Sequence, residues 1–113
     1  NDAQRYTQLL NDWKLPGVRF TCSDLFFIEM LPEHTSKGNA IRKMCRRLGL
    51  DIAQTVAVGD YYNDVEMLEA AGFSACVAAA PDDIKAIVDQ VLVSCEEGAV
   101  AQLIELLEER YGD

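Results

Sequence analysis

Val56-Ala57-Val58-Gly59-Asp60-Tyr61-Tyr62-Asn63-Asp64-Val65-Glu66-Met67-Leu68 reads as a strand, a tight loop carrying two aspartates and an asparagine, and then a helix. The apolar run from Thr55 to Val58 is short and β-branched, which suits a strand buried on both faces. Gly59 breaks the run and lets the backbone turn. Asp60 then stands at the carboxyl end of the strand, where ligands bind in open α/β sheets. Asn63 and Asp64 fall at the start of the next helix, Asp64 to Ala71, where side-chain oxygens cap free N–H groups. Two readings stay open here. The plainer is a strand-to-helix turn with capping acids, because turns are rich in Asp, Asn and Gly. The sharper is a cation and phosphate site, because Mg²⁺ takes carboxylate oxygens and the amides of a helix start favour phosphate.

Downstream the pattern alternates. A strand at Ser74 to Ala78 leads to a helix from Pro81 to Val88, with Asp82 and Asp83 complementing its dipole. A strand at Val91 to Val93 leads to a last helix from Ala99 to Arg110, burying Val100, Leu103, Ile104, Leu107 and Tyr111. Upstream, a helix from Ser36 carries an apolar stripe of Ala40, Ile41, Met44, Cys45 and Leu48 and ends at Gly49. Strand–helix alternation predicts an α/β fold, a Rossmann-like parallel sheet flanked by helices and joined by right-handed crossovers. Residues before Pro32 differ in texture. Asp2 to Lys14 spaces Tyr6, Leu9, Leu10 and Trp13 as one buried helix face, and Val18 to Cys22 and Phe26 to Leu31 alternate as a hairpin around Ser23-Asp24. A boundary is therefore expected near Pro32, dividing the chain into 1–32 and 33–113.

The 113 residues suit a modest core, and half of them are apolar, which predicts folding rather than disorder. A net charge of −9 argues against nucleic acid and anionic membranes as partners. No apolar run approaches the length of a membrane span, and the polar, acidic opening is unlike a signal peptide. Cys22, Cys45, Cys76 and Cys95 form no C-x-x-C pair, and with His34 as the lone histidine no zinc cluster is expected. Mostly buried, reduced thiols in a cytoplasmic protein are the expectation. Opening at Asn1 rather than methionine predicts a fragment or a processed chain.

Three positions could act together. Lys37 begins the second helix in Thr35-Ser36-Lys37-Gly38, an unfavourable place for a cation on the dipole. Either it is a solvated lysine, or it points to the sheet edge, pairs with Asp64 and holds a phosphate as a point charge. Arg42, Lys43, Arg46 and Arg47 read as a wet helix face, His34 as a surface residue, and Tyr61 and Tyr62 as loop packing. Glu66, Glu69, Glu96 and Glu97 read as solvated or capping acids.

Ser36-Lys37-Gly38 followed by Gly59-Asp60-Tyr61-Tyr62-Asn63-Asp64-Val65-Glu66-Met67-Leu68 resembles motifs III and IV of the haloacid dehalogenase (HAD) superfamily, Cof-type phosphatase branch. The similarity continues through Ala70-Ala71-Gly72-Phe73, Ala80-Pro81-Asp82-Asp83-Ile84-Lys85 and Glu97-Gly98-Ala99-Val100. The resemblance implies a partial HAD core at 33–113, preceded at 1–32 by the end of an α/β cap domain. It implies Mg²⁺-dependent hydrolysis of the phosphate ester of a small metabolite, a sugar phosphate by preference. Asp60 resembles the aspartate that completes the metal site, Lys37 the lysine that steadies the phosphoryl group, Asp64 the aspartate that orients it, and Asn63 the asparagine lining the phosphate pocket. Lys37 and Asp64 are thus the implied catalytic residues, and Lys37 and Asn63 the implied substrate contacts. The family's D-x-D nucleophile run and its motif II Ser/Thr strand do not occur, and Ala78-Ala79-Ala80 replaces the usual Gly-Asn-Ala. Both motifs precede the cap, so the resemblance implies a C-terminal part of a longer protein, inactive by itself. Its exposed sheet edge would pair with a second copy or with the segment carrying the first motif. A non-catalytic phosphate- or cation-binding or regulatory module and a phosphomutase-like member are the alternatives.

Overall fold

The computed structural model describes residues 2–24 and 26–112, and the outer bounds Asn1 and Asp113 of the two expected units lie outside them. The chain folds as α1 (Asp2–Asp12), β1 (Val18–Cys22), β2 (Ile28–Pro32), α2 (Lys37–Leu48), β3 (Val56–Gly59), α3 (Val65–Ala70), β4 (Phe73–Cys76), α4 (Asp82–Lys85), β5 (Gln90–Val91) and α5 (Ala99–Tyr111). Short 3₁₀ turns at Ile52–Gln54 and Tyr62–Asp64 precede β3 and α3.

The described strands make two sheets. β1 and β2 form an antiparallel hairpin in which Phe20 faces Met30 and Val18 faces Pro32. Pro32 ends a strand, so the expected linker begins after it rather than around it. β3, β4 and β5 form a parallel sheet in that order, with Val56 opposite Phe73, Gly59 opposite Cys76 and Ala75 opposite Gln90. This is the expected α/β architecture, with each parallel crossover carrying a helix.

Side-chain alternation along β4 divides the core. Phe73, Ala75 and Val77 pack with Leu92, Ala99 and Leu103 on one face, under α5. Cys76 packs on the other face with Ala57, Leu68, Ala80 and Ile84, under α3 and α4. Burying Leu68 and Ile84 contributes about 1.5–3 kcal/mol each. Burial also pushes the Cys76 thiol up, which keeps it protonated and inert. β4 is buried throughout, as a central strand should be, whereas β3 is buried only at Ala57 and Gly59 because its outer edge has no partner strand among the described residues. Both of its faces still meet the core, Ala57 on the Leu68 side and Val58 on the α5 side, so it is the edge of β3 and not a face that stays open.

Several helix faces also differ from the sequence reading. The α1 stripe is not buried: Tyr6, Leu9 and Trp13 are 50%, 47% and 68% exposed, and Ala3 is the buried residue of the helix. On α2, Met44 and Leu48 are exposed while Cys45 and Gly38 are buried. On α5, Val100, Ile104 and Tyr111 are exposed, and Ala99 and Leu103 carry the contact with Leu106 and Leu107. Periodicity finds an apolar stripe but not which edge of it meets the sheet. The helix expected from Pro81 to Val88 is a single turn, α4, and β4 and β5 each end earlier than expected.

The hairpin is tied to its surroundings by polar side chains. Asn11 of α1 donates to the Phe20 carbonyl and accepts from the Phe20 N–H, at 2.9 and 2.8 Å. Arg19 of β1 donates to Glu66 of α3 at 2.8 Å, joining the hairpin to the parallel-sheet unit. Nothing in the sequence around Glu66 brings a strand arginine to it, so the surface reading of Glu66 misses this pair. Its carboxyl is held below the usual range by a hydrogen bond with Ser36, and burial, which opposes this, is outweighed with help from Arg19. A lowered folded pKa contributes stability above the unfolded value, and that stability is lost as pH falls through the folded one. Glu66→Gln is therefore expected to cost about 0.2–1 kcal/mol at pH 7 in urea unfolding. The difference from the parent protein should vanish as pH drops below the ordinary carboxyl value of 4.5.

Candidate active site

The site is built where β3 ends and α2 begins. Ser36 caps α2 in extended geometry, its hydroxyl accepting from the Asn39 N–H at 3.0 Å. That fixes Lys37 as the first helical residue, facing the loop after β3. Gly38, buried, lets α2 approach α3: a Cβ there would lie 2.8 Å from the Glu66 carbonyl oxygen. The loop turns through Asp60 and Tyr61 into the 3₁₀ turn Tyr62–Asp64, which delivers Asp64 back under the end of the strand.

Asp64 is the hub. Its Oδ1 accepts from Lys37 Nζ, and its Oδ2 accepts from the Asp60 N–H at 3.0 Å. The Asp64 side chain is 5% exposed, while that of Lys37 is 52% exposed, so the lysine is anchored from below with its head reaching open space. The expected pairing of Lys37 with Asp64 is present, with the lysine half exposed to solvent. Asp64 does not cap α3 through its side chain, contrary to the expectation from sequence; its carboxylate is committed to Lys37 and Asp60 instead.

The two carboxyls are pushed apart electrostatically. Burial raises Asp60, and hydrogen bonding to and repulsion from Asp64 raise it further, with Lys37 opposing. Burial would also raise Asp64, but the Lys37 hydrogen bond, the Asp60 N–H and the lysine's charge outweigh it, so Asp64 lies below its ordinary value. Asp64 is thus the anion that holds the lysine. Asp60, exposed on the cavity wall, is the carboxylate that a cation would relieve. Among the described residues no three His, Cys, Asp or Glu side chains gather as a metal cluster. Mg²⁺ is commonly held by one or two carboxylates with water and phosphate oxygens completing the shell. The single hard-oxygen donor at Asp60 fits that pattern as part of a donor set.

Two adjoining cavities open here. One, of about 350 Å³, is walled by Lys37, Asp60, Asp64, Gly98 and Val100 beside the free edge of β3. The other, of about 720 Å³, reaches from Asp60 and Tyr61 to Ser23 and Asp24 of the hairpin turn and to Ser94 and Glu96 before α5. Asn63 is half-buried in the 3₁₀ turn and is not among the residues lining either cavity. Sequence reasoning missed Asp24, Cys95 and Glu96 as wall residues. They lie in a turn and a loop far apart in sequence, and the only signal was position after a strand. Tyr62 packs edge-on to Tyr61 and donates to Asp83 at 2.9 Å, which fixes the loop on the α4 side.

Close packing around Asp64 makes the loop sensitive at Gly59. A Cβ on Gly59 would lie 2.6 Å from Asp64 Cβ and 2.8 Å from its Oδ2. Gly59→Ala must displace Asp64, and a loss of about 1–3 kcal/mol in urea unfolding is expected. An unchanged midpoint would show that the loop yields without strain.

A family model described as haloacid dehalogenase-like hydrolase matches residues 1–104. Phosphatase YwpJ of Bacillus subtilis (strain 168) is 38% identical over 79 residues, covering 70% of this chain and 28% of that protein. A phosphoglycolate phosphatase of Halobacterium salinarum (strain ATCC 29341 / DSM 671 / R1) is 45% identical over 67 residues, covering 59% of this chain and 30% of that protein. The solved structure of a haloacid dehalogenase-like hydrolase from B. subtilis superposes with a TM-score of 0.78 at 32% identity, over 87% of this chain and 36% of that one. The chain therefore spans about a third of the length of these relatives.

Proposed function

The chain belongs to the haloacid dehalogenase-like hydrolase family, and we propose that it forms the lysine–aspartate half of the active site of a Mg²⁺-dependent phosphatase. The observation that carries this is the anchoring of Lys37 Nζ and the Asp60 N–H on one buried carboxylate, Asp64, at the mouth of two cavities. Phosphoryl transfer needs positioned charge more than covalent machinery. Lys37 holds the phosphoryl group as a point charge and Asp64 positions Lys37. Asp60 holds the cation, and Mg²⁺ when bound supplies charge neutralisation at the phosphoryl oxygens.

The aspartate nucleophile comes, in this reading, on a strand that pairs with the free edge of β3, beside Val58 and the Lys37 cavity. Until that strand is in place the site is half-built, and the 113 residues alone are expected to be inactive. Residues 1–32 act as the end of a cap and 33–113 as part of the core, a division supported by the separate antiparallel and parallel sheets. The substrate is a small phosphorylated metabolite, with a sugar phosphate preferred. Four free cysteines, three of them buried, support a reducing, cytoplasmic location. Among the described residues no helix is long and apolar enough to cross a membrane.

The test is phosphate release from a panel of phosphate monoesters, with and without Mg²⁺, by the polypeptide carrying this chain together with its nucleophile-bearing segment. Metal-dependent release is expected. No release from any ester, with Mg²⁺ still bound, would replace the enzyme by a binding module.

A further inference from the structure

Committing Asp64 to Lys37 and the Asp60 N–H leaves the loop without a side-chain cap, since neither the 3₁₀ turn Tyr62–Asp64 nor α3 has one. Backbone bonds fix the shape of the turn: the Asp64 N–H donates to the Tyr61 carbonyl at 3.0 Å, and the Val65 N–H to that of Tyr62. Where the turn sits is set from two sides. Lys37 holds Asp64 from α2. Tyr62 holds the turn from α4 and α1. Its ring packs on the core cluster that contains Leu68 and Ile84. Its hydroxyl donates to both carboxylate oxygens of Asp83, each at 2.9 Å. That carboxylate is itself fixed, because its Oδ1 accepts from the N–H of the buried Ile84 at 3.1 Å. The same hydroxyl hydrogen-bonds with the side chain of Gln4 in α1, next to Ala3, the buried residue of that helix.

We propose that Tyr62 is a positioning residue of the candidate active site: its hydroxyl, held between Asp83 of α4 and Gln4 of α1, sets where the loop presents Asp60 and Asp64. This rests on the phosphatase reading above. Tyr62 lines neither of the two cavities at the site, so it acts through its neighbours in the turn. Its side chain rotates about only two torsions, which makes it a stiff strut. Asp60 and Asp64 are hydrogen-bonded to each other, so a shift of the turn moves the cation's ligand and the lysine's anchor together. Displacing such groups by about 1 Å costs up to about a hundredfold in rate. The ring alone would keep the core filled yet let the turn slide, because apolar packing is non-directional whereas a hydrogen bond fixes distance and angle.

The experiment compares the same full polypeptide as parent, Tyr62→Phe, Asp83→Ala and the double variant. It reads Mg²⁺ affinity by calorimetry, kcat and KM for phosphate release, and the urea midpoint. Tyr62→Phe keeps the ring and is expected to lower kcat and Mg²⁺ affinity each by about tenfold, the lower end of what losing an orienting partner costs. KM for the ester should change by less than about threefold. Asp83→Ala should match it, and the double variant should lose no more than either single one, because all three remove one contact. Tyr62→Phe decides alone where Asp83→Ala disturbs α4. Unchanged kcat and Mg²⁺ affinity in Tyr62→Phe, whatever its urea midpoint, or additive losses in the double variant, overturn the positioning role and leave the phosphatase reading standing. Weakened Mg²⁺ binding in Tyr62→Phe, in a parent that releases phosphate from no ester, keeps the positioning of Asp60 and overturns the phosphatase reading.

Discussion

Under the proposed function, Asp64→Asn in the full polypeptide is expected to lower kcat for phosphate release by about 10²–10³ with a smaller change in KM. The amide cannot hold Lys37 as the carboxylate does, because it presents one acceptor and two donors where the native side chain presents two acceptors. Lys37 Nζ and the Asp60 N–H both depend on that side chain. One substitution therefore releases the lysine and loosens the loop that carries Asp60. The folded protein should also lose about 1.5–3 kcal/mol, the range for buried hydrogen bonds to a charged group. The stability loss has a predictable pH dependence. Asp64 is lowered in the folded state, so its contribution is present above the ordinary carboxyl value of 3.8 and fades as pH falls through the folded one. Urea unfolding of parent and variant should accordingly converge below that pH. Asp60, raised by burial and by Asp64, works in the opposite sense and is relieved by protonation. Retention of turnover within about threefold in Asp64→Asn would be inconsistent with Lys37 acting through Asp64, since even one misplaced electrostatic group costs far more.

The second large effect is expected at Asp60. Asp60→Asn keeps the shape of the loop and its backbone hydrogen bond to Asp64 but removes the anionic oxygen on the cavity wall. Magnesium affinity, measured by calorimetry independently of turnover, should fall by about tenfold or more, since hard cations require carboxylate oxygens. Turnover should fall in parallel and recover only partly at high metal concentration. Removing the raised carboxyl also removes its repulsion with Asp64, so the folded variant should be as stable as the parent or slightly more so. Falling activity without falling stability is the signature that separates a ligand from a structural residue. Unchanged magnesium affinity would remove Asp60 from the metal site.

Much of the loop's architecture is legible in the sequence. The strand–Gly59–Asp60–turn–Asp64–helix order gave the sheet edge and the loop, and the cation at a helix start singled out Lys37. Local chemistry is what sequence encodes well: Ser36 caps α2 as expected, and the Gly49 N–H closes it onto Cys45. Burial was harder. The stripe of α1 and half the stripe of α5 stand exposed, because which side of an amphipathic helix meets the sheet depends on crossing geometry rather than on spacing. Arg19 and Glu66 lie 47 positions apart. That pair is set by how the hairpin lies against the parallel-sheet unit.

The α/β alternation and the strand-end loop that carries Asp60 and Asp64 follow from the sequence alone, since each obeys rules acting within a few residues. The tertiary structure decided what Asp64 does. Sequence offered it a helix-capping role. Folding instead buried its carboxylate between α2 and the end of β3, where two donors, Lys37 Nζ and the Asp60 N–H, offset the cost of burying a charge.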